Sequence, residues 1–256
     1  MNPHSISFSD FIENQKDMTL ENQRPQFDNI FSLIKRFKAI DSDTKMLEIG
    51  TGVGWLLLLC KHLGMECKGI EVSPELVRYA HQFGQRYGIT PDIEVGSIEE
   101  AEIGLNQYDI IVASSTFEHV QDWQHGLEKV LTALKPNGLF YFYSTNKFAF
   151  HQGEYNMPFY GWLPDRWRYS LRKAKQGDDV MQWGIDFNQF THFQLRRFFK
   201  ELGFSKVMDL IDVLDPDNLN HPTMQKKLAL GVLKNSKLLK ELALLFVSGT
   251  LFICIK

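Results

Sequence analysis

Three glycines at alternate positions, Gly50, Gly52 and Gly54 in MLEIGTGVGW, stand between a strand-like apolar run and a helical one. Lacking side chains, they let the backbone turn tightly and approach a ligand, so main-chain groups do the binding. An acidic residue about 20 positions beyond such a loop, at the end of the next strand, can accept hydrogen bonds from both hydroxyls of a ribose. Glu71 in GIEVS holds that place. The combination identifies a ribose without identifying the cofactor that carries it. A dinucleotide fingerprint GxGxxG needs its third glycine at position 55, where this chain has Trp55, so the spacing here is GxGxG. No Lys-Ser or Lys-Thr follows the glycines, which excludes a P-loop. Cys60, Cys67 and Cys254 form no CxxC or metal-ligand spacing and read as core thiols of a reducing compartment.

The elements that must position these residues follow from periodicity. Phe27, Ile30, Phe31, Ile34 and Phe37 recur at helical spacing ahead of the first strong strand signal. From Lys45 the chain alternates the strand candidates MLEIG, CKGIEV, PDIEV, YDIIVASS and GLFYFYST with amphipathic helical runs, the sequence form of βα units and a mostly parallel sheet. Ligands of such sheets bind at the carboxyl ends of the strands. The rhythm breaks after Asn146, in a stretch that holds Trp162, Trp167 and Trp183 beside Tyr155, Phe159, Tyr160 and Tyr169. Loops of this length are usually functional, and this one reads as a substrate-covering insertion. HFQLRRFFKELGF then reads as a helix ending at Gly203, VMDLIDV as a strand, 215–241 as a second, Lys-rich insertion, and LFVSGTLFICIK as the last strand. The expected organisation is one domain: a helical segment 1–44, a cofactor-binding core 45–146, the aromatic insertion 147–190, and a helix and strands over 191–256.

Composition narrows the partners. The 28 Lys and Arg against 31 Asp and Glu give a formal charge of −3, and a nucleic-acid binder usually carries a basic excess. The apolar stretch from Leu242 to Ile255 is about 14 residues, short of the ~20 that span a bilayer. The N-terminal sequence MNPHSISFSDFIENQKDM has neither a signal-peptide nor a transit-peptide pattern, so a cytoplasmic location is expected.

Together, ExGxGxG, the second-strand Glu71, YDIIVASSTFEHV and LKPNGLFYFYSTN resemble the class I S-adenosylmethionine-dependent methyltransferases. The nearest group is the broad one that includes the ubiquinone-biosynthesis type O-methyltransferases. The resemblance covers roughly 45–146, with weaker support from FTHFQLRRFFKELGF. It implies a Rossmann-like α/β fold with a mostly parallel seven-stranded sheet, helices on both faces and the aromatic insertion after the fifth strand. It also implies S-adenosylmethionine as cofactor and S-adenosylhomocysteine as product. Glu48, Gly50, Thr51, Gly52 and Gly54 would line the methionine half, Glu71 the ribose, and Val72 and Ile98 the faces of the adenine. Ser97 stands where the family often has an adenine-contacting Asp, and Ser114 would offer its carbonyl to the methionine ammonium. Asn137 replaces the second glycine of the family's LKPGG, a mild change because Asn tolerates a left-handed turn.

A sulfonium methyl is already activated, so transfer mainly requires in-line positioning. A hydroxyl acceptor must also lose its proton, and histidine suits that task near neutral pH. His119 and His192 are the candidates. His119 either lies near the acceptor or caps a loop; His192 either reaches the pocket or, the favoured reading, starts a helix. Glu118 is expected to orient. Some relatives use an acid three positions before this Glu-His pair to hold a divalent metal, and Ser115 occupies that position, so no metal is expected. The expected acceptor is a small or lipid-like molecule, methylated on oxygen in preference to nitrogen or carbon. The alternatives are a catalytically silent S-adenosylmethionine-binding protein and, less favoured by the glycine spacing, an NAD(P)-dependent oxidoreductase. Trp162 and Trp167 with Arg166, Arg168, Arg172 and Lys173 allow peripheral membrane contact, but Asp165, Asp178 and Asp179 interrupt the basic run and a packed lid is the preferred reading.

Overall fold

In the strand KMLEI, β1 (Lys45–Ile49), every residue after the first is buried, which is what a central strand covered by helices on both faces requires. The computed structural model of the chain describes residues 12, 15–152, 157–176, 188–216 and 223–256. The sheet comprises β1, β2 (Glu66–Glu71), β3 (Asp92–Val95), β4 (Tyr108–Ser114), β5 (Leu134–Thr145), β8 (Lys206–Asp209) and β9 (Gly249–Ile255), in the order β3-β2-β1-β4-β5-β9-β8. The first five are mutually parallel, and β9 runs antiparallel between β5 and β8. A two-stranded ribbon, β6 (His151–Gln152) with β7 (Met157–Pro158), follows β5.

Alternation along the strands sorts the core onto two faces. Met46, Ile110, Val112 and Tyr141 point to one side, where α1 (Leu20–Lys35), α2 (Trp55–His62) and α3 (Pro74–Gln85) pack. Leu47, Ile111, Phe140 and Phe252 point to the other, against α4 (Trp123–Ala133) and α6 (His192–Leu202). The second face is a lattice of rings, with Phe142 5.3 Å from Phe199 and Phe140 stacked on Phe204 at 6.2 Å. Edge and stacked ring pairs at such spacings add stability beyond area burial.

Three elements differ from the sequence expectation. The helix before β5 stops at Ala133 and the strand begins at Leu134, four residues before GLFYFYST; Pro136 cannot prolong a helix, and Asn137 takes φ +59 as its substitution for glycine requires. The strand VMDLIDV ends at Asp209, whose carboxylate accepts the Asp212 N–H while Asp212 accepts that of Asp209, and this reciprocal cap starts the one-turn helix α7 (Leu210–Val213). In LFVSGTLFICIK, Leu245 and Phe246 belong to a helix and the strand starts at Gly249. The second insertion is thus a helix pair, α8 (Met224–Asn235) and α9 (Lys237–Phe246), anchored by Leu230 and Leu244 on Ile211. The Asn146 amide fastens the end of α9 to the end of β5 by donating to the carbonyls of Leu244, Leu245 and Val247 at 3.1, 3.1 and 2.9 Å. In the aromatic insertion, α5 (Asp165–Gln176) follows the ribbon; Trp183, Tyr155, Asp178 and Asp179 lie outside the described residues.

Candidate active site

The glycine loop leaves β1 at the carboxyl edge of the sheet and takes three left-handed residues in five, with φ of +72 at Gly50, +55 at Gly52 and +76 at Gly54. L residues with side chains are strained there. The glycines differ in what surrounds them. A Cβ on Gly50 would collide with the Thr116 side chain, and one on Gly54 would stand 2.8 Å from Ala80 Cβ, so these two are set by packing. A Cβ on Gly52 would meet nothing within 4 Å, so the backbone there faces open space.

Backbone bonds hold the loop to β2: the N–H groups of Gly50 and Thr51 donate to the Ile70 carbonyl at 2.9 and 3.2 Å. Glu71 completes the clasp, its two carboxylate oxygens accepting the N–H of Gly52 at 2.7 Å and of Ser73 at 3.0 Å. Each oxygen keeps a lone pair for a further donor. Behind the loop, Glu48 accepts the Thr51 hydroxyl at 2.6 Å. Its pKa is pushed up to about 8, first by burial, against the lowering effect of the Thr51 hydrogen bond and with a smaller rise from the Glu71 charge. Among the described residues neither carboxyl has a cationic partner. An open backbone facing Gly52 and a nearly buried carboxylate with acceptor capacity at Glu71 fit a ribose-bearing ligand that carries positive charge beside Glu48.

The adenine-side residues divide. Val72, next to Glu71, is 70% exposed and offers a free apolar face, whereas Ile98 is 2% exposed and packs in the core under α4. Ser97 is half-buried, its carbonyl accepting the N–H groups of Glu100 and Ala101 at 3.1 and 2.8 Å.

The loop after β4 is clamped to this cradle. Thr116 Oγ1 bonds to the carbonyls of Ile49 at 2.9 Å and Ser114 at 3.2 Å, so the expected Ser114 acceptor is partly engaged within the protein. Ser115 holds φ +52, a left-handed conformation at the strand end. A short 3-10 turn, Phe117–His119, then carries the half-buried His119. Glu118 is fully buried and accepts the Ser144 hydroxyl at 3.0 Å. Asn188, returning from the aromatic insertion, grips the same turn: its side-chain amide donates to the carbonyls of Phe117 and Val120 at 3.2 and 2.7 Å, and its N–H to that of Glu118 at 3.0 Å. Thr116 and Asn188 are positioning residues that sequence reasoning missed.

His192 is not brought to this cluster. It opens α6, is 2% exposed, stacks on Phe252 of β9 at 5.0 Å, and lies 3.8 Å from Asp209. Burial, then the charges of Arg196 and Lys240, lower its pKa to about 4, so it is a neutral core histidine and a correction to its place among the candidate bases. The three cysteines are buried and unpaired, in line with core thiols. Among the described residues, no group of three or more His, Cys, Asp and Glu side chains could hold a metal ion, and no helix is long and apolar enough to cross a membrane.

A glycine cradle beside a nearly buried acid, at the carboxyl edge of an open and mostly parallel sheet, has the geometry of a nucleoside-type cofactor site. A family model described as a methyltransferase domain matches residues 21–208, and the chain belongs to that family. The domain is of the S-adenosylmethionine-dependent methyltransferase type. The chain is 28% identical over 125 residues to a ubiquinone biosynthesis O-methyltransferase of Methylobacterium sp. (strain 4-46), covering 46% of this chain and 49% of that protein. It is 30% identical over 94 residues to the norajmaline N-methyltransferase of Rauvolfia serpentina, covering 36% and 32%. It therefore spans half or less of the length of these relatives. In fold it is similar to a SAM-dependent methyltransferase of Archaeoglobus fulgidus, with a TM-score of 0.56 and 15% identity over 98% of this chain and 100% of that one.

Proposed function

We propose that the chain methylates a hydroxyl oxygen of a small, apolar or lipid-like acceptor, with His119 as the general base. The observation that carries this reading is the clamp at Thr116, which fastens the turn bearing His119 to the junction of β1 and the glycine loop. S-adenosylmethionine, when bound, supplies a methyl group on a positively charged sulfur. The chain's own residues would hold and orient: Gly50, Gly52, Gly54, Glu48, Thr51 and the Ser114 carbonyl the charged methionine end, Glu71 the ribose, Val72 and Ile98 the faces of the adenine, and Ser97 its edge. His119 would take the acceptor's proton, a role worth about 10²–10⁴ in rate for a positioned base.

Asn188 ties the insertion to the same turn, and the rings of Phe148 and Phe150, just beyond β5, pack against Trp162, which supports an apolar acceptor. The distant likeness to an O-methyltransferase of ubiquinone biosynthesis supports oxygen as the target. A net charge of −3 supports a non-nucleic-acid acceptor, and the three unpaired buried thiols support a cytoplasmic enzyme.

The test is release of S-adenosylhomocysteine against a panel of phenols, alcohols and amines, with wild type and His119→Ala. We expect turnover on a phenolic or alcoholic acceptor that falls at least 100-fold in His119→Ala, with S-adenosylhomocysteine affinity unchanged. Undiminished turnover in the variant would remove His119 from the mechanism. Micromolar cofactor binding without turnover on any acceptor would favour a silent binding protein.

A further inference from the structure

Helices α8 and α9 carry apolar side chains on their outer faces as well as on the inner ones that pack on Ile211. In α9 the inward face holds Leu244 and the charged Lys240, both nearly buried, while Leu238, Leu242 and Phe246, spaced by four, point to solvent at 70%, 49% and 38% exposure. In α8 the same spacing places Met224, Leu228 and Val232 outward, all more than half exposed, with Leu230 facing in. A helix on a water-soluble surface normally turns its apolar stripe to the core. The stripe continues beyond the helix pair: Phe246 stacks on Phe150 at 5.1 Å and on Trp162 at 6.3 Å, and both of those rings are also exposed. An apolar face this continuous marks an interaction surface.

Charge identifies the partner. The segment from Met224 to Phe246 carries five lysines and one glutamate in a chain that is net −3. On the flank of α9, a cleft of about 720 Å³ between α6 and the helix pair is lined by six Lys and Arg side chains, of which Arg196, Arg197 and Lys240 are paired with acids and Lys200, Lys234 and Lys237 are exposed. Lys200 and Lys237 reach it from opposite walls, and both are exposed. A two-fold pairing of this face with itself would set the lysines of one copy near those of the other, a repulsive arrangement. An anionic bilayer satisfies both features at once, since apolar side chains and rings enter the acyl boundary while lysines meet phosphate headgroups.

We propose that α8, α9 and the rings of Phe150 and Trp162 form a face that docks on an anionic phospholipid membrane, with the α6–α9 cleft receiving headgroup phosphates. The proposal is independent of the methyl-transfer reading, because its readout is binding alone. The experiment is sedimentation of the full chain with vesicles of phosphatidylcholine, with or without phosphatidylglycerol, at low and high salt. Wild type, Leu238→Glu/Leu242→Glu and Lys200→Glu/Lys237→Glu are compared, each checked for folding by thermal melting and for S-adenosylhomocysteine affinity. We expect about tenfold stronger binding to the anionic vesicles, weakened by salt. We also expect loss of all vesicle binding in the leucine variant, and loss of the anionic preference in the lysine variant, with cofactor affinity unchanged in both. Absence of binding to anionic vesicles, or equal binding to neutral ones, would overturn the proposal. So would a wild-type dimer in light scattering that the leucine variant converts to monomer without any vesicle binding by wild type, which would assign the face to self-association.

Discussion

Glu48 and Glu71 stand at the carboxyl ends of β1 and β2, and Asp209 with Asp212 stands at the carboxyl end of β8, on the other wing of the same edge. The two acidic pairs meet opposite surroundings. Asp209 has Lys240 at 2.8 Å and Arg196 at 3.5 Å, and Lys240 also pairs with Asp212. Burial pushes Asp209 upward while the Lys240 contact draws Asp212 below its usual range. That cluster carries its own counter-charges and closes on itself. Glu48 and Glu71 are held by one hydroxyl and two backbone N–H groups, and among the described residues neither has a cationic partner. Acids at one sheet edge thus fasten α9 through Lys240 in one place and keep open acceptor capacity in the other.

The largest effect expected from this contrast is on the open side of the cradle. Gly52→Arg should abolish measurable S-adenosylhomocysteine binding in a calorimetric titration while the thermal melt stays cooperative, because the new side chain enters open space and the strain of φ +55 costs about 1–2 kcal/mol. A folded variant with retained affinity would reject Gly52 as a cofactor contact. On the other wing, Lys240→Met removes the cation beside Asp209 and leaves a buried carboxylate short of compensation. Stability in urea should fall by about 3 kcal/mol with cofactor affinity unchanged. A parallel loss of affinity would show that the two clusters are energetically one site and would end the comparison.

How far these differences could be read in advance depended on the range of the contacts behind them. The runs MLEIG and YDIIVASS declare themselves as central strands because burial on both faces leaves a continuous apolar signal, and the alternate glycines with Glu71 are legible because turn, approach and ribose contact depend on a short stretch of chain. VMDLIDV misleads because its two aspartates look like polar interruptions of a strand, whereas they cap each other and end it. LFVSGTLFICIK hides its boundary since Leu245 and Phe246 suit either a helix or a strand, an ambiguity of short apolar runs. Thr116 and Asn188 act through bonds to residues 67 and 71 positions away, so no local pattern marks them. His192 shows the converse: Thr191 before it caps the helix and marks the local start, but only the stacking on Phe252 reveals a neutral core residue.

The smallest effect, and the sharpest test of the open acidic pair, is a proton. With its pKa near 8 in the folded chain against 4.5 ordinarily, Glu48 holds its proton at pH 7. In the absence of ligand the unfolded chain binds fewer protons than the folded one between those values, so stability falls as pH rises from about 4.5 to 8 and levels off beyond. A cationic ligand beside Glu48 favours the carboxylate and should expel that proton. Titration of S-adenosylhomocysteine, which keeps the methionine ammonium, should therefore give different enthalpies at pH 7 in phosphate and in Tris, corresponding to the release of most of one proton. Affinity should rise with pH up to about 8 in wild type. Glu48→Gln, which keeps the shape but cannot ionise, should show one enthalpy in both buffers and a flat pH profile. Equal enthalpies in wild type would mean that the ligand's charge lies away from Glu48, and would leave Glu71 alone to define the cofactor side of the edge.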